Sequence, residues 1–378
     1  MFRWSLLFSF QLIVLLLLAP AALWAKKSDP PKSQKTQKAH TGKTKKRPSP
    51  SPKTKQKGAS EYLNTIVVTG GRRSRRLKDT VTQTEVITRQ QIQQTSARRL
   101  TELLDTRLGV RITRPAGAGA GIQLQGLDSK HILILVDGQR ISGRMRGVLD
   151  LDRFPLEQIE RIEIVKGATS ALYGSDAIGG VINIITRKNK RPFFTNLASR
   201  YGYGGESHLV DASGTVGGYW KGWSGQLSLT WARYDSWDLK PDDPATTGSD
   251  DHQLQLSGRT SYRFSKKIEL SLRGEYQFRD RHGIDNNSVG AIYDRKNRTE
   301  TAMASAFLNA LILPSIRLRW KNSFSYFRDQ FHYEQRKGVT PGELEQTYNW
   351  LLQSVLQLDT SIGESHFLSI GVDGIFEN

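Results

Sequence analysis

Residues 254–278 alternate with a period of two, and that alternation is the tightest constraint on what this chain can fold into. Leu254, Leu256, Gly258, Thr260, Tyr262 and Phe264 fall on one face of an extended strand, with Gln255, Ser257, Arg259, Ser261 and Arg263 on the other. A tight Ser265-Lys266-Lys267 turn follows, and the scheme repeats. Ile268, Leu270, Leu272, Gly274, Tyr276 and Phe278 then oppose Glu269, Ser271, Arg273, Glu275, Gln277 and Arg279. Leu227, Leu229 and Trp231 follow the same rule. So do Ile316, Leu318, Trp320, Phe324 and Tyr326 against Arg317, Arg319 and Lys321. Strands of soluble sheets average about 5–6 residues. These runs reach the roughly 9–11 residues that a tilted strand needs to cross a bilayer. Arg and Glu are costly against lipid but not against a polar lumen. A soluble antiparallel sheet with one wet face is the alternative, and strand length argues against it. The pattern predicts antiparallel transmembrane β-barrel strands over 191–378, with about nine candidates.

The preceding stretch, 72–190, reads as a compact α+β domain. Val86-Ile87-Thr88, Ile122 to Gln125, His131 to Val136 and Ile159 to Val165 have strand character, and the Gly-Gly-Val-Ile-Asn-Ile-Ile-Thr run ending at Thr186 closes the domain. Leu100, Leu103 and Leu104 have helical spacing within Ser96–Leu104, where Ser96 is placed to cap. Asp137-Gly138 marks a hairpin turn.

Before this domain the composition changes twice. Residues 1–25 are an apolar run with Arg3 near its start and Ala19-Pro20-Ala21 near its end, the layout of an export signal. A membrane anchor of nearly sufficient length is the alternative; the exported strands favour cleavage. Residues 26–60 are Lys-, Pro- and Ser-rich and lack the apolar surface needed to fold, so they read as a disordered spacer. That spacer holds 12 of the chain's 55 Lys and Arg with one acid, Asp29. Much of the formal charge of +19 therefore sits in a tail rather than on a folded basic face, which argues against a nucleic-acid-binding module. Zero cysteine excludes disulfides and thiolate metal sites.

Nothing in the chain assembles a nucleophile, base and orienter, and the histidines are scattered without metal spacing. Gly117 to Gly121 lacks the strand-to-helix context and the Lys-Ser/Thr pair of a phosphate loop. The chain reads as non-enzymatic. Asp235, Asp238, Asp242, Asp243, Asp250 and Asp251 crowd one long loop, and Asp280, Asp285 and Asp294 flank the next. Carboxylates converging from two loops can offer calcium an oxygen-rich site; hydrophilic external loops are the plain alternative.

Three segments resemble the TonB-dependent outer-membrane receptors. One is Asn64-Thr65-Ile66-Val67-Val68-Thr69, similar to the family's coupling box. The second is Ile132-Leu133-Ile134-Leu135-Val136-Asp137-Gly138-Gln139-Arg140. The third and most specific is Ile159 to Gly167 running into Ser170-Ala171-Leu172-Tyr173-Gly174 and on to Thr186. The resemblance covers about 63 to the end, and the plug is most similar to those of cobalamin and colicin/catecholate-siderophore receptors. It implies a signal peptide over 1–25, a periplasmic spacer over 26–60, a TonB box region over 61–71, a plug over 72–190 and the N-terminal part of a barrel from 191. The full barrels of the family have more strands than this, so an incomplete barrel, a fragment or a truncated frame, is expected.

The resemblance also implies function. A scarce ligand, a ferric siderophore or cobalamin, binds the external loops and plug apex at the outer membrane. The box then pairs with TonB by β-augmentation, in which the main chain supplies affinity. Outer-membrane lipid is the other partner. A binding or signalling receptor without transport and a haem receptor are the alternatives; a passive channel is opposed by the plug and the box. By resemblance the apex segment after Asp137-Gly138 carries Arg140, Ser142, Arg144, Met145 and Arg146. Three guanidinium groups there favour an anionic ligand, although they can equally brace the loop. Asp235, Asp250, Asp251, Asp280 and Asp294 are similar in placement to acidic loops that bind calcium in cobalamin-type receptors. Two departures stand out. The family's plug arginines, which pair with barrel glutamates, are replaced by Gln125 and Lys166. Gln has no charge and Lys has no bidentate fork, so the lock between plug and barrel must be made differently.

Overall fold

The computed structural model describes residues 66–67, 75–79 and 82–378, apart from 98, 115–118, 146, 168–172, 189–190, 205–206, 241, 288–289, 338–341 and 363–365. The expected signal and spacer lie outside the described residues. Of the box, only β1 (Ile66–Val67) is described, paired antiparallel with β2 (Arg75–Arg76).

The α+β domain is built on a sheet of β3 (Thr84–Thr88), β6 (Ile132–Val136), β7 (Gln139–Arg140), β8 (Ile159–Lys166) and β9 (Gly180–Thr186), in the order β3-β8-β9-β6-β7. The β6–β9 pairing is parallel and the others antiparallel. Beside it stand the hairpin β4 (Val110–Thr113) and β5 (Gly121–Leu124). Two short helices cover the sheet, α1 (Arg89–Gln94) and α2 (Leu100–Asp105). Leu100, Leu103, Leu104, Ile122, Ile132, Ile162 and Ile182 are at most 2% exposed and form one core.

The helix differs from its sequence expectation. It starts at Leu100 rather than Ser96, after an extended Arg99 that makes no side-chain cap. Burial of three leucines decides its position, and Arg99 instead stacks 4.6 Å from the ring centre of Tyr234. A capping box was missed one element earlier. The Gln91 amide donates to Thr88 Oγ1 while Gln91 Oε1 accepts from the Thr88 amide at 2.8 Å, which starts α1 directly after β3.

After β9 the chain enters a nine-stranded antiparallel meander. Its strands are β10 (Phe193–Gly204), β11 (Ser207–Trp220), β12 (Trp223–Tyr234), β13 (Asp250–Arg263), β14 (Ile268–Asn286), β15 (Ile292–Leu313), β16 (Ile316–Gln335), β17 (Glu343–Ile362) and β18 (His366–Glu377), adjacent in sequence order. Turns at 221–222, 264–267 and 314–315 lie at one end, and longer connections at 235–249, 287–291 and 336–342 at the other. β15 runs for 22 residues, twice what a bilayer needs, so it projects beyond the membrane on the long-loop side.

Polarity across this wall is inverted relative to a soluble sheet. Leu229, Trp231, Leu272, Tyr276, Phe324 and Leu356 are exposed, whereas Ser228, Gln255, Gln277, Thr301 and Ser325 are buried. Exposed apolar faces of this extent mark a lipid-facing surface. β10 and β18 are not paired with each other, so the wall is an incomplete barrel. No described helix is long and apolar enough to cross a membrane, which leaves the question of strands untouched.

Candidate functional site

The buried face of the wall meets the α+β domain along a polar seam. Alternation places Arg259, Arg273, Gln277 and Arg279 on the inward face of β13 and β14, and the seam uses each of them. The β6–β7 hairpin turns at Asp137 and Gly138, with φ of 51° and 78°. Two consecutive positive φ values are what a two-residue hairpin of primed type requires. The turn aims the Asp137 carboxylate at the wall. Its Oδ1 accepts from the Thr186 amide at 3.0 Å, and its Oδ2 accepts from Thr186 Oγ1 at 2.7 Å, from Arg273 at 3.1 Å and from Arg259. One side chain therefore ties the end of β9 to two wall strands. Burial opposes the charge on Asp137, but Arg259 and Arg273, with Thr186, hold its carboxyl down at about 2.

A second carboxylate repeats the design further along the wall. Asp150 Oδ1 accepts from the amides of Ala120 and Asp152, each at 3.1 Å, and Oδ2 accepts from Arg279 Nη1 at 2.5 Å. Arg279 in turn donates to Asp251 of β13, so this guanidinium is held between a domain carboxylate and a wall carboxylate. A third pair joins Glu157 to Arg200 at 2.8 Å.

Neutral contacts fill the intervals. Gln277 donates to the Arg153 carbonyl at 2.9 Å and Ser257 donates to Gln158 at 3.1 Å. The Arg140 amide donates to Gln353 at 3.1 Å, and the Ser142 amide to Ser325 at 3.1 Å. Gly143, with φ of +101°, lies against Phe327 so closely that a Cβ there would stand 2.4 Å from the ring. Where buried partners are removed singly, the orphaned group carries the cost.

This arrangement accounts for Gln125 and Lys166. Lys166 stays inside the domain, 2.8 Å from Glu85 and donating to the Leu108 carbonyl at 2.8 Å. Gln125, at φ of 51°, donates its amide to the Gly109 carbonyl at 2.7 Å. The lock is made with the charges exchanged, carboxylates on the domain and guanidiniums on the wall. Sequence reasoning missed Asp137, Asp150 and Glu157 as lock residues; the available signal was the row of arginines on the polar face of β13 and β14.

Residues 76–181 match the family model described as TonB-dependent Receptor Plug Domain. The α+β domain is therefore similar to the plug of TonB-dependent receptors. The chain is 42% identical over 154 residues to the vitamin B12 transporter BtuB of Vibrio cholerae, covering 40% of this chain and 25% of that relative. The BtuB of Vibrio vulnificus is 39% identical over 129 residues, 34% of this chain and 21% of the relative. Among solved structures, a mutant of the ferric enterobactin receptor PfeA from Pseudomonas aeruginosa superposes with a TM-score of 0.65 at 18% identity, over 82% of this chain and 50% of that one. That likeness shows the fold. The chain thus spans about half the length of the solved receptor and a quarter of the curated relative. The wall's outward apolar and inward polar faces are those of outer-membrane barrel strands.

In this chain the plug residues assigned to the apex are largely engaged. Arg140 donates to the Tyr173 carbonyl and to Asp176. Arg144 donates to the carbonyls of Ser129 at 2.6 Å, Ile132 at 2.9 Å and Gly147 at 3.3 Å. Ser142 faces Ser325, and Met145 is 4% exposed, its sulfur 3.9 Å from Asn297 Nδ2. Arg146 lies outside the described residues. Arg140 and Arg144 therefore act as internal braces in this state, and the open trio of guanidiniums expected from sequence is not assembled by the described residues.

The five aspartates assigned to calcium are not brought together. Asp235 accepts from Arg233 at 3.2 Å and Asp250 from the Ser236 amide at 2.7 Å. Asp251 is spent on Arg279, Asp280 lies 3.4 Å from Arg298, and Asp294 lies 2.8 Å from Arg336. Among the described residues no three His, Asp or Glu are grouped to hold a metal. Of the coupling box, Ile66 pairs with Arg76 and Val67 with Arg75; Asn64, Thr65, Val68 and Thr69 lie outside the described residues.

Proposed function

We propose that this chain is the plug and leading wall of a receptor that takes up a scarce ligand across the outer membrane, energised through TonB, and that it catalyses no reaction of its own. The observation that carries the proposal is the charge-exchanged seam. A plug pinned to the lumen face by Asp137 and Asp150 closes the path, so passage requires work on the plug rather than simple diffusion. A ligand can shift such a plug only through different affinity for its two states.

Cobalamin comes first among substrates, supported by the 42% identity to a vitamin B12 transporter; a ferric siderophore is the second reading. Coupling is assigned to Asn64–Thr69, whose β-prone main chain suits pairing with an edge of TonB. The test is energised uptake of radiolabelled cyanocobalamin in cells expressing the full-length receptor. Val67→Pro removes a main-chain donor, and it is expected to abolish uptake while surface binding persists. Uptake unchanged in that variant, or binding of ferric enterobactin but not cyanocobalamin, would overturn the coupling or the substrate assignment respectively.

A further inference from the structure

The short-turn end of β11–β14 carries chemistry that the plug does not use. Two turns stand side by side there. The Arg263 amide donates to the Gly222 carbonyl at 2.8 Å, joining the 221–222 turn to the end of β13. Lys266 and Lys267 are exposed at the neighbouring turn, and no carboxylate pairs with either among the described residues. Lys221 lies 4.9 Å from the ring centre of Trp220. Glu269, two residues past Lys267 in sequence, is taken by Arg263 at 3.3 Å.

Directly next to these cations the outward face becomes aromatic. Trp223 and Tyr262 are register partners, and Tyr262 meets Phe264 edge-on at 4.8 Å. Trp220 is 67% exposed and Phe264 61%. Amphipathic rings at this level sit at the membrane interface, with apolar residues toward the bilayer centre. Lysines just beyond such a girdle reach the phosphate plane while their stems lie along apolar surface.

From this juxtaposition we propose a binding site for an anionic phospholipid of the leaflet that meets the short turns. The Lys221, Lys266 and Lys267 ammonium groups hold the headgroup phosphate, and the acyl chains lie over Trp220, Trp223 and Phe264. The proposal rests on the membrane reading of the wall. It goes beyond that reading by assigning one lipid class to one place. Charge complementarity selects the occupant, because a neutral headgroup offers three unpaired lysines no net charge. A lysine close to an anionic surface is worth roughly a fivefold preference.

The test uses the refolded full chain in vesicles of mixed phosphatidylcholine and phosphatidylglycerol, with bromine on the chains of one lipid at a time to quench tryptophan. Brominated phosphatidylglycerol is expected to quench at a lower mole fraction than brominated phosphatidylcholine, by up to about a hundredfold in apparent affinity if the three lysines act additively. The K221Q/K266Q/K267Q variant is expected to lose that difference while inserting normally. Equal quenching by both lipids in the parent chain, or a preference that survives in the triple variant, would overturn the site. So would loss of the preference on adding millimolar inorganic phosphate at constant ionic strength, which would assign the lysines to free phosphate. Absence of quenching by either lipid would instead strike the membrane reading of the wall, and the proposal with it.

Discussion

Arg273 donates to Asp137 at 3.1 Å across 136 residues of sequence, from a wall strand to a plug hairpin. Both side chains are mostly shielded, with 14% and 19% of their surface exposed. Removing one partner leaves the other buried without compensation, which costs more than the pair contributes. Asp137→Asn is expected to destabilise the plug by about 2–4 kcal/mol, discounted from a fully buried pair. Arg273→Gln should cost less, because Arg259 still serves Asp137. A double-mutant cycle read by urea unfolding of the plug should return a coupling of about 1 kcal/mol or more. Strict additivity would remove the pin.

The same carboxylate predicts an acid limb. Asp137 titrates at about 2 in the folded chain against 3.8 for the free side chain. A folded pKa below the unfolded one contributes stability that is complete above about pH 4 and fades as pH falls toward 2. The size is about 2 kcal/mol. Asp150 is likewise held below its usual range. Burial opposes this, but Arg279 and Arg281 with two backbone amides outweigh it, so it adds the same sign. Plug protection in hydrogen exchange should fall between pH 4 and 2, and less steeply in Asp137→Asn. An identical slope in both proteins would remove Asp137 as the cause.

Gly143 sits directly against the wall. Its φ of +101° disfavours any side chain, and a Cβ there would stand 2.4 Å from the Phe327 ring. Gly143→Ala is expected to lower the thermal midpoint by several degrees, equivalent to about 1–3 kcal/mol. Adding Phe327→Ala relieves the clash but not the backbone strain, so recovery should be partial. Full recovery would mean that the strain is negligible.

Calcium should change little. Asp235, Asp250, Asp251, Asp280 and Asp294 each already hold a separate donor, and an ion would have to displace several of them. Melting in millimolar calcium and in chelator is therefore expected to agree within a degree or so. A clear upward shift that disappears in Asp250→Asn would establish a calcium-ordered loop instead.

Much of this chain's fold is legible in its sequence, because period-two alternation over long strands has few physical solutions. Leu254 and Gln255 must face opposite ways, and only a bilayer with a polar lumen suits both in strands of this length. Hairpin chemistry at Asp137-Gly138 is equally local, since two positive φ values follow from the turn itself. The start of α2 was not legible, because Ser96 offers a cap while the burial of Leu100, Leu103 and Leu104 sets where the helix begins.

Which charges meet across the seam was decided only by the tertiary structure. Sequence showed that Gln125 and Lys166 could not make the arginine lock, and it placed Arg259, Arg273 and Arg279 on the lumen face. It could not say that Asp137 and Asp150 would answer them. Such a pairing joins residues more than a hundred positions apart and depends on how far the plug rises along the wall. The same holds for Arg144. Its charge is visible in the sequence, but whether it is free for a ligand depends on three carbonyl oxygens that only the folded hairpin gathers around it.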